Sequence, residues 1–257
     1  MIIDRNKRIS AAGLKIVLGI PFTRVVSTGD VNGTNKVFPL PPEYYPIYPK
    51  NHKGPIPLAA DIIAEILKGT TYSDVTVATV NTLVDPISGN TVYGSVELSS
   101  APTTEGADSV VLTGVEECWA RIAQDITPSI KTDSEDLKEV GTNDVMTIPG
   151  GRTRTVKYEL KITVDTLKLI RKIMYKEKED QTGVATGYTL YTERGTPLSI
   201  YAYIPVVYDD EEVERYYLTN VTVDPDLPTV KAGDATASIN VNMNIPTAID
   251  LLAPEEA

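Results

Sequence analysis

The chain has 257 residues, room for one large β domain or two of ordinary size. Its 24 Lys and Arg against 35 Asp and Glu leave a net charge of −11, with a mean hydropathy of −0.10. That balance excludes a protein that grips nucleic acid, because such proteins gather basic side chains to neutralise phosphate. No apolar run approaches the roughly 20 residues needed to span a bilayer.

The start, "MIIDRNKRISAAGLKIVLGIPF", puts basic residues before an apolar segment. Lys15 interrupts the apolar part and no small-residue cleavage pattern follows, so the expectation is a basic arm leading into a first strand near Leu14 to Leu18. A second zone runs from Val26 to Gly114. "TGDVNGTNKVF" brushes against a calcium loop, but the acid spacing fails and no bidentate Glu closes it. "PPEYYPIYP" favours extended chain and turns. His52, the one histidine, follows in a Pro/Gly/Lys loop and reads as an exposed loop residue rather than a catalytic base. Leu58 to Lys68 reads as a short amphipathic helix, with Leu58, Ile62, Ile63, Ile66 and Leu67 at helical spacing and Gly69 as its C-terminal cap. Strands are expected at Val75 to Val80, Thr91 to Leu98 and Ser109 to Leu112, with "DPISGN" as a turn.

The third zone, from Val115 onward, is the most regular. "ECWARIAQDI" is a strand candidate containing the sole cysteine, Cys118, which excludes an intrachain disulfide and a Cys-rich zinc site. "TPSIKTDSEDLKEVGTND" reads as a polar, acidic loop. Pro149, Gly150 and Gly151 read as a hairpin turn, without the Lys-Ser/Thr of a phosphate-binding loop. Val156, Tyr158, Leu160, Ile162 and Val164 then alternate with polar residues, the period of a half-buried strand. Asp165 is a good N-cap for a helix whose Leu167, Ile170 and Met174 share one face, with Leu169 and Ile173 beside it. Two strands, Leu198 to Tyr208 and Val213 to Val223, flank the acidic tip "DDEE", which reads as solvated rather than metal-binding. In the last strand, Ala237, Ile239, Val241, Met243 and Ile245 alternate with Ser238, Asn240, Asn242 and Asn244.

This order predicts a mainly β chain: an antiparallel β-sandwich or barrel with one packed α-helix, plus an inserted small β-rich module containing a short helix. The domain expectation is an arm and first strand at 1–25, the module at 26–114 and a core domain at 115–257. No nucleophile–base pair, metal cluster or cofactor motif appears, so no enzyme and no cofactor are expected. Long two-faced strands are an aggregation hazard at a sheet edge unless they are paired, and copies of one chain can pair them on purpose.

Two segments carry a resemblance: the run from "ECWARIAQDI" through "DVMTIPGGRTRTVKYELKITVDTLKLI", and "YYLTNVTVDPDLPTVKAGDATASINVNMN". In order of elements they resemble the tail tube (major tail) proteins of tailed phages and archaeal tailed viruses, related to the inner tubes of contractile injection systems. The likeness covers Val115 to Ile245. The second zone is similar to small β modules of phage tail and fibre proteins.

The resemblance implies homo-hexameric rings that stack into a virion tail tube through which DNA passes without specific binding. It implies as partners the chain itself, a tape-measure protein and tail-terminator or tip proteins, with assembly in the host cytoplasm. It maps an assembly hairpin onto Val140, Met146, Ile148, Arg152, Arg154, Val156, Tyr158, Leu160 and Ile162. An inter-ring loop would hold Lys131, Asp133, Glu135, Asp136, Lys138 and Glu139, and the packed helix Leu167, Ile170, Ile173 and Met174. A channel lined by acids and neutral amides would give phosphate nothing to bind. A module as large as 26–114 on the outside favours a non-contractile tail. The alternatives are another tail or head component (a tail terminator, baseplate ring or decoration protein) and a carbohydrate-binding surface module using Tyr44, Tyr45 or Tyr48.

Overall fold

The computed structural model describes residues 15–50, 56–86, 88–103, 109–121, 127–138, 145–161, 164–178, 180–208, 211–225, 238–246 and 250–252. Contacts divide the chain into two compact units, Val17–Trp119 and Met1–Ile16 with Ala120–Ala257. His52, Val140, Glu139 and Ile162 lie outside the described residues.

The first of these units holds β1 (Lys15–Val26), β2 (Val37–Pro39), β3 (Ile63–Lys68), β4 (Thr71–Val75), β5 (Val77–Val84), β6 (Thr91–Leu98) and β7 (Ser109–Arg121). They form one sheet in the order β4-β3-β7-β1 and a second in the order β2-β6-β5. Phe22, Phe38, Leu40, Ile62, Ala64, Val96, Leu98, Val110 and Leu112, drawn from both sheets and the loops between, make one buried cluster. Burial of side chains of this size, each removing ~1.5–3 kcal/mol of apolar surface from water, drives the two layers together.

The expected helix over Leu58 to Lys68 is absent. Ala59–Asp61 makes one tight 3-10 turn, in which the Asp61 carboxylate accepts from Leu58 N–H at 2.7 Å, and the rest is β3. β3 is paired on both sides, with β4 and with β7. The apolar run admitted either reading, since Ile62 and Ala64 also fit period two. Both are buried while Ile63 is exposed, which is strand alternation. β-branched isoleucines and two waiting neighbour strands decide in favour of the sheet.

The Tyr/Pro segment packs against its own unit. Ile47 N–H donates to the Tyr93 carbonyl and Tyr48 N–H to that of Val115, both at 2.8 Å. Ile47 and Tyr48 are buried, and the Tyr44 ring lies 5.5 Å from that of Phe22. A Cβ at Gly94 would sit 3.0 Å from the Tyr45 ring, a tight contact that glycine avoids. Tyr48 therefore offers no ring for sugar stacking. In "TGDVNGTNKVF" the Asn32 side-chain oxygen accepts from Thr34 N–H and Asn35 N–H (3.0 and 2.7 Å), an Asx turn where the sequence hinted at a cation loop. The "DPISGN" turn is present, with Gly89 at positive φ and its N–H donating to the Asp85 carbonyl at 2.8 Å.

The other unit holds β8 (Thr127–Lys138), β9 (Val145–Lys161), α1 (Val164–Met174), β10 (Tyr175–Glu177), β11 (Tyr191–Glu193), β12 (Ser199–Tyr208), β13 (Glu211–Pro225), β14 (Ser238–Ile245) and β15 (Asp250–Leu252). Its main sheet runs β12-β13-β14-β9-β8, with β15 pairing the first half of β13, and β10 pairs β11 in a small ladder. Every pairing in this sheet is antiparallel. The described residues are thus mainly antiparallel β with one α-helix. Among the described residues no sheet closes into a barrel.

Two expectations in this unit are corrected. The acidic segment predicted as a loop is β8 for most of its length, paired with β9 from Thr127↔Lys157 to Lys138↔Val145. Asp, Glu, Lys and Pro, which make up half of this segment, have poor strand preference, but a long apolar-faced neighbour supplies the hydrogen bonds and overrides it. Pro149 to Gly151 is not the hairpin turn. It lies inside β9, where the register slips between Thr132↔Arg152 and Ser134↔Pro149. Gly150 and Gly151 together oppose Asp133 alone, a bulge, which is the other place where strands use glycine. The connection from β8 to β9 falls in 139–144.

The α1 face also differs in detail. Leu169 and Ile173, four residues apart, are its buried pair; Ile170 and Met174 flank them half-buried and Leu167 is exposed. The helix packs against β13. It begins at Val164, so Asp165 sits inside the first turn rather than at the cap. Its last turn is tied by Arg194, whose backbone N–H donates to the Met174 carbonyl at 2.8 Å and whose guanidinium donates to that of Lys172.

Candidate assembly surface

The sheet β13-β14-β9 has two chemically opposite faces, fixed by register. Val223, Met243 and Val156 align across the three strands, as do Pro225, Val241 and Tyr158; all six are buried. Ile239 opposite Leu160 extends this apolar face. On the other face Thr222, Asn244 and Thr155 form one row, and Asp224, Asn242 and Lys157 the next, with Asn240 opposite Glu159. Asn240, Asn244, Asp224 and Lys157 are exposed and the rest half-buried. This face thus consists of amides, hydroxyls and carboxylates with two lysines, Lys157 in the row of Asp224 and Lys161 opposite Ser238.

The open margin of the sheet is β8, whose one strand neighbour among the described residues is β9. The predicted hairpin and inter-ring residues meet along this pair. Leu137 opposes Met146, Glu135 opposes Ile148, Asp136 opposes Thr147, Lys131 opposes Thr153 and Lys138 opposes Val145. Arg152 flanks the bulge and Asp133 stands opposite it, and Arg154 sits between Ile130 of β8 and Ile245 of β14. Val156, Tyr158 and Leu160 face the core of their own unit rather than the outside. The Tyr158 hydroxyl is buried with no hydrogen-bond partner among the described residues, and burial pushes its pKa well above the ordinary value near 10.

Sequence reasoning did not single out Arg215, a guanidinium buried in β13. It lies 4.3 Å from the centre of the Tyr203 ring and 5.9 Å from that of Tyr217, and donates to the Tyr217 hydroxyl at 3.3 Å. Tyr203 and Tyr217 are direct cross-strand partners, and the alternation of "VERYYL" places Arg215 and Tyr217 two apart on one face. That spacing was the available signal. In the Val17–Trp119 unit, Arg24 of β1 donates twice to the Glu65 carboxylate of β3, at 3.0 Å each. Its N–H donates to the Thr113 hydroxyl of β7, and its guanidinium covers the Tyr72 ring at 3.8 Å. The Arg24 hydrogen bond holds the Glu65 carboxyl below the usual range.

Among the described residues, no group of three or more His, Cys, Asp or Glu is placed to hold a metal ion, and no helix is long and apolar enough to cross a membrane.

No family model matches the sequence, and no curated protein matches it. Solved structures give weak likenesses. A sheath–tube complex of an extracellular contractile injection system (PVC) in its extended state matches over 53% of this chain and 83% of that one, at 10% identity and a TM-score of 0.36. The six-fold symmetrised baseplate of the anti-feeding prophage gives 54% and 85% coverage, 12% identity and a TM-score of 0.35. The tube-terminating cap of the same particle gives 80% and 95%, 10% identity and a TM-score of 0.31. At TM-scores below 0.5 these likenesses carry no argument about this chain.

Proposed function

We propose that this chain is a structural protein of a phage-like tail, assembling into stacked homo-hexameric rings that form the tail tube. DNA passes through the lumen during ejection, and the chain has no catalytic role. The observation that carries the reading is the sheet with one apolar face, one amide- and hydroxyl-rich face, and an open margin at β8. An unpaired margin can be completed by a different edge of the next copy, and a head-to-tail contact of that kind closes into a ring when its rotation allows. The polar face suits the channel: its lysines, Lys157 and Lys161, alternate with Glu159 and share rows with Asp224, amides and hydroxyls, so phosphate meets no unbroken run of cations to release counterions against.

The Ala120–Ala257 part forms the ring in this reading, and the module of 26–114 decorates the outside of a non-contractile tail. Tape-measure and terminator or tip proteins are its partners in the virion, and assembly takes place in the host cytoplasm. Negative-stain microscopy of the purified chain at rising concentration tests the reading. Rings and tubes of uniform diameter are expected. A monodisperse monomer at every concentration and salt level refutes it.

A further inference from the structure

The sheet β4-β3-β7-β1 has a second face, turned away from the buried cluster of its unit. Ala64 of β3 and Val110 and Leu112 of β7 belong to that cluster. Strand alternation therefore puts Ile63 and Glu65, and Thr113 opposite Ile63, on the other side. Register adds Asp74 directly opposite Glu65, and Tyr72 one pair further along β4 on the same side. Arg24 reaches across this face from β1. Ile63 is 51% exposed and Tyr72 39%.

Arg24 holds a backbone conformation that a residue with a side chain adopts only at a cost, with φ of 51° inside β1. Its contacts fix it there. The N–H is bonded to Thr113, the guanidinium grips both oxygens of Glu65, and the same guanidinium lies over Tyr72. The grip uses Nε and Nη2, and Nη1 makes no hydrogen bond among the described residues. The Arg24 side chain remains 47% exposed. A fixed, reachable fork of donors thus stands beside a carboxylate with lone pairs to spare and an aromatic ring. Groups already held in place lose little further entropy when a ligand arrives.

Charge and shape select the ligand. The charged groups of β1, β3 and β4 on this face are Arg24, Glu65 and Asp74, a net −1. Lys68 falls on the opposite side by alternation with Ala64, and Glu117, farther along β7 in the alternation of Thr113, adds another acid. The one cation is already met by Glu65, so a phosphate, an acidic lipid headgroup or an acidic polysaccharide finds no free positive charge. A sheet face offers no groove for a peptide helix. A neutral pyranose fits both constraints, since its C–H side is apolar and its hydroxyl rim donates and accepts at adjacent positions. We propose that this face binds a neutral oligosaccharide. Tyr72 and Ile63 lie under the C–H side of one hexose. Arg24 Nη1 donates to one hydroxyl and a Glu65 oxygen accepts from its neighbour. The Tyr44–Tyr48 segment, packed against its own unit, takes no part. The inference concerns a single copy of the chain and is independent of the tube reading.

Isothermal titration of the full chain with cellohexaose, maltohexaose and mannohexaose, and with a polygalacturonate hexamer as the acidic counterpart, tests it. Saturable binding of at least one neutral hexamer is expected, with a Kd of ~0.1–1 mM, and none of the acidic one. Tyr72→Ala and Arg24→Met are expected to weaken binding roughly tenfold or more. Tyr72→Phe keeps the ring and should bind as wild type does, as should Tyr188→Ala, which removes the most exposed ring of the other unit. Circular dichroism confirms that each variant folds; Glu65→Gln, which keeps the side-chain shape and removes one acceptor oxygen, stands in for Arg24→Met if that variant does not. Absence of binding to all three neutral hexamers overturns the proposal. So does preference for the acidic hexamer, or binding that survives Tyr72→Ala unchanged.

Discussion

Replacing Tyr158 with Phe removes one oxygen from the core and keeps the ring that packs opposite Val241. The hydroxyl is buried and has no partner among the described residues, so the folded state bears a desolvation cost of about 1–3 kcal/mol that the unfolded state does not. The void left by one oxygen offsets a fraction of this, and the expected net gain is about 1–2 kcal/mol. For a unit of this size that is a rise in Tm of roughly 2–8 °C. The pH dependence sharpens the test. Burial raises the folded pKa of Tyr158 above its ordinary value near 10, so above that pH the unfolded chain holds fewer protons than the folded one. Stability then falls as pH rises, and the Phe variant lacks that contribution. Urea unfolding followed by circular dichroism at pH 7.5 and pH 10.5 is the assay. The variant's advantage should be present at the first pH and larger at the second. A variant less stable than wild type, or an advantage that does not grow with pH, would refute the reasoning.

Three further outcomes follow from described contacts. Gly114→Ala should destabilise the Val17–Trp119 unit by about 1–3 kcal/mol in chemical denaturation, because the new Cβ meets the buried Ile62 side chain and comes within 3.1 Å of Phe22. Arg215→Met should lower stability by about 1–3 kcal/mol, through loss of the Tyr203 contact and the Tyr217 hydrogen bond, with far-ultraviolet circular dichroism unchanged. Asn240→Lys with Asn244→Lys should leave the fold intact and give salt-sensitive DNA retention in a filter-binding assay where wild type shows none; equal retention by both chains would remove the polar face from any account of the channel.

Much of the fold was legible wherever one face is buried. β6 spans Thr91 to Leu98 as its pattern predicts, and β12, β13 and β14 follow their periods closely, whereas α1 is a helix as expected but buries Leu169 and Ile173 rather than the face of Leu167, Ile170 and Met174. Legibility failed where a neighbour rather than the strand's own sequence decides. Nothing in "TPSIKTDSEDLK" announces β8; its partner β9 does. Gly150 and Gly151 signal a break in regular backbone, but turn and bulge share that signal, and only pairing distinguishes them. The run from Ile62 to Leu67 fits two periods, and the strands on both sides settle the choice. The candidate surface was half visible. The Asn240/Asn242/Asn244 column stands out in sequence, whereas the Arg24–Glu65 pair joins residues 41 apart and is a property of the folded sheet.

The Arg24 side chain reaches past β7 to hold Glu65 on β3, while its backbone is bonded to β7 itself. It works as a rivet through three adjacent planks. Force entering through β1 is shared with β3 instead of passing down a single ladder of amides, and shear along the β1–β7 seam has to tear out a two-pronged ionic grip before the sheet can slide.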